Sequence, residues 1–451
     1  MCKNIVTYYL KSVVLFSFFI LHKVVFHISR LKFDYSKINV NDDLIIIDPF
    51  VMIKKNFPDN KFKEPYFDGL YNVLEKRKKQ YVILTILVGA KPWEIRKVYD
   101  SFNILANDKR NFITEYDLLN PLDYLKLIWF ILTYPLASLR LLKFKSHIKY
   151  DSIFNDEVKK NLNAASFRVY IMYLVGKRLN ILSQKKIKLI SWYENISINK
   201  LLYRGLRDTE NDCHIYGCQF YLPFSFWVHM HPLTAEIPYN MVPDEVLVSG
   251  KFHLPTNSDI RYKLGVSPRY NYLFQLKHNA DELKNRNYIL ILLTIDIYDS
   301  KNILKVVKDS HFVNEEHIYV KLHPNHIVNN PGFKIPYNWK ITNEQLDYLC
   351  GKSKVVISSG SSGAILEAAT MGCSAISIGN ENNLGYSAMS ELGKGEIWDI
   401  AFDSKELVLS YNKITDFRKK NIDRILELSI QYRNLYFTEA TDERIVDIFG
   451  L

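Results

Sequence analysis

Short apolar runs rich in branched aliphatic residues recur along this chain of 451 residues, and most are followed by a segment with helical spacing. In the first half of the chain these runs lie at 44–47, 81–88, 187–192, 213–216 and 245–248. Strands buried on both faces of a parallel sheet have this composition, whereas a half-exposed strand alternates apolar with polar residues. The pattern therefore predicts an α/β fold in which helices cover a parallel sheet.

A second series of the same kind follows the polar segment 277–287, with predicted strands at 288–294, 317–322, 354–357 and 375–378. A chain of this length exceeds the usual size of a single hydrophobic core. We therefore predict two Rossmann-like domains that face each other across a cleft, with an extra N-terminal helix. The predicted segments are 1–40 for that helix, 41–271 for the first domain, 272–415 for the second, and 416–451 for a C-terminal helix that packs back on the first domain.

Three elements within this frame are predicted from apolar spacing. One continuous helix is expected at 161–182 and another from Asp416 to Tyr436. The run at 81–88 is expected to form a single strand that Gly89 ends.

The charge balance favours anionic partners. The chain carries 59 Lys and Arg against 48 Asp and Glu, a formal net charge of +11, which suits a nucleotide or a membrane surface. The same excess also serves solubility, and both interpretations stay open. The basic residues are scattered rather than set in an aromatic-rich stripe, so nucleic-acid binding is not expected.

Cysteine and histidine spacing give no metal or disulfide signature. The five cysteines include no Cys-x-x-Cys pair, so reduced thiols and a cytoplasmic location are expected. His229, His231 and Glu236 do not have metal-ligand spacing, and we predict no metal and no cofactor.

Two apolar segments raise the question of a membrane. The run 13–21 is followed at once by His22 and Lys23, and it is too short to span a bilayer, which takes about 20 residues. It is expected either to lie on a membrane surface as a basic helix or to dock on the protein. The stretch 127–139, interrupted by Pro135, fits a core helix better than an interfacial one.

A Ser/Gly loop joins a predicted strand at 354–357 to a predicted helix at 361–371. A helix start has free N–H groups and a partial positive charge, which together make a phosphate site. The loop matches neither a P-loop nor a dinucleotide-binding glycine motif. A well-capped turn without a ligand is the alternative. The loop residues predicted to bind phosphate are Ser358, Ser359, Gly360, Ser361 and Ser362.

A histidine follows a neighbouring strand. His323-Pro324 ends the predicted strand 317–322, and the proline stiffens the turn. An imidazole at that position can stabilise or protonate a departing phosphate. Glu367, in the helix after the Ser/Gly loop, is predicted to accept hydrogen bonds from a ribose, and an ordinary exposed helix residue is the alternative.

Carboxylates follow two strands of the first domain. Glu194 comes directly after the strand 187–192 and is the first candidate for a catalytic base. Asp48 ends the first strand and is the second candidate. A salt bridge or a helix cap is the alternative for Glu194.

These motifs resemble those of a known family. His323-Pro324 and the serines from Ser358 to Ser362 are similar to the His-Pro and Ser-Ser/Thr motifs of GT-B-type bacterial sialyl- and Kdo-transferases, which build capsule and lipopolysaccharide. The stretches 190–195 and 238–250 also resemble surface-carbohydrate biosynthesis proteins. An acidic-acidic-glycine motif that often carries the base in that family has no clean copy here.

The resemblance implies an inverting, metal-independent glycosyltransferase. The donor would be a nucleotide-activated sugar, with a CMP-sugar favoured, and the acceptor a growing glycan or its lipid carrier, at the inner face of the cytoplasmic membrane. A teichoic-acid-type polyol-phosphate transferase, a sugar-nucleotide epimerase and a non-enzymatic carbohydrate-assembly protein are the alternatives.

Overall fold

The computed structural model describes most of the chain. Pro324 lies outside the part described, so its predicted role stays a prediction. The described residues are 2–142, 151–209, 211–222, 227–276, 279–310, 317–323, 332–380 and 387–451.

The first lobe is built on a parallel sheet of seven strands, in the order β5-β3-β1-β6-β7-β8-β9. A small separate pair joins β2 to β4. The strands are β1 Leu44–Asp48, β2 Val51–Met52, β3 Tyr81–Leu84, β4 Leu87–Val88, β5 Phe112–Ile113, β6 Ile187–Trp192, β7 Cys213–Gln219, β8 Glu245–Val248 and β9 Tyr262–Leu264. Leu44, Ile46 and Ile47 are fully buried, as expected for a strand covered on both faces.

Helices cover both faces of this sheet. They are α1 Cys2–Ile28, α2 Asp68–Lys76, α3 Ile95–Ala106, α4 Glu115–Leu118, α5 Pro121–Leu142, α6 Asp151–Asn161, α7 Ser166–Leu179 and α8 Ser197–Arg207. Helices α7 and α8 approach most closely at two glycines. A methyl group on Gly205 would lie 2.1 Å from the Tyr173 carbonyl oxygen, and one on Gly176 would lie 2.3 Å from that of Leu202.

The second lobe repeats the plan with a parallel sheet of six strands, in the order β12-β11-β10-β13-β14-β15. The strands are β10 Tyr288–Leu292, β11 His317–Lys321, β12 Lys340–Thr342, β13 Ser353–Ser359, β14 Ser374–Ile378 and β15 Trp398–Ala401. The described helices after β9 are α9 Tyr272–Gln275, α10 Ala280–Lys284, α11 Ile297–Asp309, α12 Leu346–Lys352, α13 Gly363–Thr370, α14 Ser404–Lys420, α15 Ile422–Tyr436 and α16 Asp442–Phe449. The predicted class, two Rossmann-like α/β lobes with an N-terminal helix, is confirmed.

The chain passes between the lobes twice, at neighbouring points. Ser267 and Thr438 exchange hydrogen bonds there, with Ser267 N donating to Thr438 O at 2.8 Å. After the second passage α16 packs on α2 of the first lobe, where Lys76 Nζ lies 2.6 Å from Asp442. The C-terminal helix thereby contributes Phe449 to the core of the first lobe.

Three predicted elements differ from the structure. The strand expected at 81–88 is two, because the chain leaves the main sheet after Leu84 and pairs again as β4 with β2. The helix expected at 161–182 runs only from Ser166 to Leu179, because a turn separates it from α6, in which the Asn163 side chain accepts a hydrogen bond from the Ala165 N–H. The helix expected from Asp416 to Tyr436 is α14 followed by α15, with a break at Asn421.

Helices α1 and α5 are both packed on the first lobe along one side only. Phe19 and Phe26 of α1 are buried in the core, against Phe167 and Phe102 respectively. On α5, the core-facing positions include Leu127, which is fully buried. The N-terminal helix is therefore docked on the protein, and α5 is a core helix on one side and exposed on the other.

The contact between α7 and α8 yields a prediction. Gly205→Ala should lower the free energy of unfolding by about 1–3 kcal/mol, because the added methyl group meets a backbone carbonyl that cannot move away. Gly351→Ala in α12 is the matched control: among the described residues nothing lies within 4 Å of a methyl group there, so alanine should be neutral or slightly stabilising. Urea unfolding followed by circular dichroism measures both. Equal effects of the two changes would contradict the close approach.

Candidate functional site

The carboxyl end of β13 lies at the centre of the candidate phosphate-binding site. The strand order of the second sheet reverses between β10 and β13, and ligands of open parallel sheets bind at such a switch point. Ser358 belongs to the sheet itself, because it is fully buried and its hydroxyl donates to the Leu292 carbonyl of β10 at 2.9 Å. Its hydroxyl ties the two strands together at the point where the crevice opens.

A buried carboxylate organises the other loop hydroxyls. Asp299 of α11 accepts hydrogen bonds from the hydroxyls of Ser359 at 3.0 Å and Ser361 at 3.1 Å. Its second oxygen accepts from Asn380 Nδ2 at 3.0 Å. The Ser361 N–H also donates to Ser359 Oγ. These hydrogen bonds hold the Ser/Gly loop in one conformation, so the start of α13 is already in place before a ligand binds.

The start of α13 faces the first lobe. Ser362 precedes the helix, and its N–H donates to the Ser359 carbonyl at 3.1 Å, while the Gly360 carbonyl accepts from Ala388 N at 2.8 Å. A methyl group on Gly363 would lie 3.2 Å from Leu222 of the first lobe. The N–H groups of the first turn, of which that of Ile365 already bonds the Ser362 carbonyl, are thus at the boundary between the lobes, where an anion can be held.

His323 lies at the same edge of the same sheet. It follows β11, which is separated from β13 only by β10. Two strand spacings amount to about 10 Å, roughly the width of a nucleotide's sugar and phosphate. The side chain is partly exposed. Sheet order thus puts the imidazole and the Ser/Gly loop on either side of β10.

Glu367 is bonded to the connection between the lobes. Its carboxylate accepts a hydrogen bond from the Tyr272 hydroxyl at 2.6 Å. Burial raises the pKa of Glu367, while the bond from Tyr272 and the nearby charge of Arg269 act in the opposite direction. The predicted ribose acceptor is therefore already held by a protein donor on one of its oxygens.

Asp48 occupies the switch point of the first sheet, between β1 and β6. It pairs with Ser191 across the two strands, and the Ser191 hydroxyl donates to its carboxylate at 2.7 Å. Burial raises the pKa of Asp48 to about 7, and the bond from Ser191 opposes that rise only in part. A carboxyl group that titrates near neutrality is suited to accept and release a proton.

Glu194 lies just beyond β6 and is fixed from two sides. Its carboxylate accepts a hydrogen bond from Trp192 Nε1 at 3.1 Å, and its N–H donates to the Asn199 side chain at 3.3 Å. The next residue, Asn195, has a left-handed backbone with φ of 53°, and its amide nitrogen donates to the carbonyls of His229 and His231. Such a buried, conformationally costly turn fixes the direction in which the chain leaves the strand.

The residue that sequence reasoning missed is Arg269. It lies on the connection between the lobes and donates to the Tyr66 hydroxyl at 2.6 Å. The centre of the Tyr66 ring lies 4.2 Å from that of the Trp192 ring. The positive charge of Arg269 also acts on Glu367, where it opposes the rise in pKa that burial causes. In the sequence, Arg269 is marked only as a single arginine after the last strand of the first lobe. Its position in the cleft between Trp192 and Glu367 follows from the fold.

Among the residues that the structure describes, no group of three or more His, Cys, Asp or Glu side chains could hold a metal ion. The prediction that no metal is needed stays a prediction.

Comparison with known proteins gives structural likeness only. No family model matches the chain, and no curated protein matches it. It aligns with MurG of Acinetobacter baumannii (TM-score 0.45, 11% identity, 91% of this chain and 99% of that one). It aligns also with α,α-trehalose 6-phosphate synthase of Burkholderia multivorans (0.46, 9%, 91% and 96%) and with the wall teichoic acid polymerase TagF (0.39, 10%, 99% and 97%). TM-scores below 0.5 carry no conclusion about activity, which depends on the residues of the site.

The raised pKa of Asp48 predicts a pH-dependent effect on stability. An unfolded aspartate ionises near pH 4, whereas Asp48 in the folded chain holds its proton up to about pH 7. Between those values the folded state binds the extra proton, so this group makes the chain less stable as the pH rises. Asp48→Asn removes the effect, and the melting temperature of the variant relative to the unsubstituted chain should increase from about pH 5 to about pH 8.

Asp43→Asn is the control for this measurement. Asp43 lies just before β1 and its side chain is exposed. Differential scanning fluorimetry over the pH range compares both variants with the unsubstituted chain. A melting-temperature difference for Asp48→Asn that stays constant with pH would show that the carboxyl group is not desolvated.

Proposed function

We propose that this chain is a GT-B-type glycosyltransferase that moves a sugar from a nucleotide-activated donor to a growing glycan. The observation that carries the proposal is the position of the polar side chains in the two sheets. Asp48 stands at the switch point of one sheet, the Ser/Gly loop at that of the other, and Arg269 lies on the connection between them. An enzyme that joins two substrates needs a site of this kind, with one substrate on each lobe.

The second lobe is proposed to hold the donor. The first turn of α13 offers N–H groups to a phosphate, and His323 and Arg269 supply side chains able to neutralise charge on the departing nucleotide. Helix N–H groups, an imidazole and a guanidinium together can carry out the charge stabilisation that a divalent ion provides in other transferases. We therefore propose transfer without a metal ion.

The first lobe is proposed to hold the acceptor, with Asp48 as the base. Asp48 accepts the proton of the acceptor hydroxyl while that oxygen forms a bond to the anomeric carbon. The bond from this carbon to the phosphate oxygen breaks, and its electron pair leaves with the nucleotide. Attack from the face opposite the leaving group inverts the carbon. The position of Asp48 at the switch point and its pKa of about 7 support it as the base, in place of Glu194, the first choice from sequence.

The finer identity of the substrates rests on the sequence resemblance. It favours a CMP-sugar donor and a bacterial surface glycan or its lipid carrier as acceptor, at the cytoplasmic face of the membrane. Transfer of a polyol phosphate would use the same phosphate-binding features and remains the alternative to be separated by assay.

Donor binding and the role of His323 are tested together. Thermal-shift titration with CMP, CDP, UDP and GDP should find one nucleotide that raises the melting temperature in a saturable way. With that donor class, His323→Ala should lower turnover by about 100-fold while leaving the melting temperature of the free protein nearly unchanged. Turnover is measured with EDTA present throughout.

Three outcomes would count against this part of the proposal. Stabilisation by none of the four nucleotides argues for a non-enzymatic assembly protein. Parallel loss of turnover and stability in His323→Ala would make the histidine structural. Conversion of the sugar nucleotide with no acceptor present would identify an epimerase.

The base is identified by comparing two isosteric variants. Asp48→Asn should lower kcat by about 100-fold or more and leave the nucleotide-induced thermal shift intact, because it removes proton transfer without touching the donor lobe. The unsubstituted enzyme should lose activity as the pH falls below about 7. Glu194→Gln keeps an acceptor for Trp192 Nε1 and should cost far less. The reverse order of the two variants would return the role to Glu194.

A further inference from the structure

The outward sides of α1 and α5 expose an unusual amount of apolar surface. On α1, Leu10 is 65% exposed and Val13 is 62% exposed. On α5, Trp129, Leu132 and Leu136 are 68%, 51% and 57% exposed. Soluble proteins rarely expose contiguous apolar patches of this kind unless a partner covers them. Both helices are also long and apolar enough to cross a membrane by length and composition.

The two exposed stripes form one surface. The Tyr9 hydroxyl of α1 donates a hydrogen bond to the Leu132 carbonyl of α5 at 2.9 Å. Leu10, which is next to Tyr9 in the chain, and Leu132 therefore both lie close to a point of contact between the two helices. Further along, Lys23 Nζ lies 4.0 Å from the centre of the Tyr124 ring. Higher residue numbers on α1 thus meet lower numbers on α5, and the helices run antiparallel, side by side. We call this joint surface the α1–α5 platform.

The exposed charges that α1 and α5 themselves carry are positive. The first acidic residue of the chain is Asp34, beyond the end of α1. On α5 the acidic residue is Asp123, which is buried and bonded to Arg178 at 2.8 Å. Lys11 and Arg140 on the two helices are exposed. The neighbouring helix α6 does carry exposed carboxylates, Asp156 and Glu157, but each is paired with a lysine of the same helix. Two apolar helices whose own exposed charges are cations complement a bilayer that contains anionic lipids.

The docked side of α1 distinguishes lying on a bilayer from crossing it. Phe19 is buried in the core of the first lobe, and His22 Nε2 lies 2.9 Å from the Pro92 carbonyl oxygen. A helix that crossed the bilayer alone would have to withdraw these residues and leave a gap in the core. Tryptophan at the exposed face, as at position 129, is typical of the membrane–water interface.

We propose that the α1–α5 platform binds an anionic lipid bilayer in the plane of its surface, with both helices parallel to the membrane. The proposal stands on the exposed stripes, the contact that joins them and the positive sign of the exposed charges on the two helices. It is independent of the activity proposed for the cleft, since a protein could bind the bilayer in this way whatever reaction it catalyses.

The experiment is vesicle flotation of the full-length chain. The vesicles are phosphatidylcholine alone, or phosphatidylcholine with a quarter of phosphatidylglycerol. The test variant replaces Leu10, Leu132 and Leu136 together by glutamine, a neutral residue with good helix propensity. The matched control replaces Leu233, Ile341 and Leu409, which are 62%, 56% and 69% exposed elsewhere on the protein.

The unsubstituted chain and the control should float with the anionic vesicles, and more weakly with the neutral ones. The test variant should bind about tenfold or more weakly, since it loses three side chains that would enter the bilayer. Fluorescence quenching by brominated lipids reports depth: the signal lost in Trp129→Phe should be quenched best by bromines close to the headgroup.

Four results would overturn the proposal. These are no flotation with anionic vesicles, flotation of the test variant equal to that of the control, and strongest quenching by bromines at the ends of the acyl chains, which would mean insertion across the bilayer. The fourth is a dimer, detected by light scattering, that the test variant converts to a monomer while vesicle binding is absent. That result would assign the platform to a second copy of the chain.

Discussion

The fold depends on strands that are buried on both faces. A parallel sheet covered by helices on each side favours apolar side chains along its strands, and polar groups that can meet a ligand lie at or near the strand ends. Asp48, Ser191 and Ser359 all lie at such ends. The pairing register decides which of them meet: Asp48 stands opposite Ser191, and a slip of one residue between β1 and β6 would break their hydrogen bond and turn Asp48 toward the other face.

The connection between the lobes has a second role, because it also lines the cleft. The two passages of the chain are held together where Ser267 bonds Thr438, and Arg269 and Tyr272 follow within a few residues. Arg269 reaches the first lobe through Tyr66, and Tyr272 reaches the second through Glu367. The segment that connects the two lobes therefore also places the Arg269 cation between them. Substitution of Arg269 or Tyr272 would remove contacts with both lobes.

Fold class, most strands and the edge positions of Asp48, Glu194 and His323 were predictable from sequence, since they follow from local apolar runs and the residues that end them. The hydrogen-bond partners of the residues at those positions, and the shift in the pKa of Asp48, were not predictable. Ser358 ends an apolar run and looked like a ligand residue, yet its hydroxyl bonds Leu292, because the strand continues to Ser359. The partners of Ser359 and Ser361 lie about 60 residues away on Asp299 and were invisible to local patterns.

The part of α1 around His22 lies near the edge of the first sheet at which the cleft opens. Pro92, whose carbonyl contacts His22, follows β3 and β4, and Asp48 ends β1 beside β3. The carboxyl ends of parallel neighbours point the same way, so these two strand ends share that edge. Soon after α1 ends the chain is at the opposite edge, because the Asp34 N–H donates to Asn111 just before β5. α1 therefore runs along the flank of the first lobe from one edge of the sheet to the other, and a bilayer bound there, as proposed, would place a lipid-anchored acceptor beside the Asp48 end of the cleft.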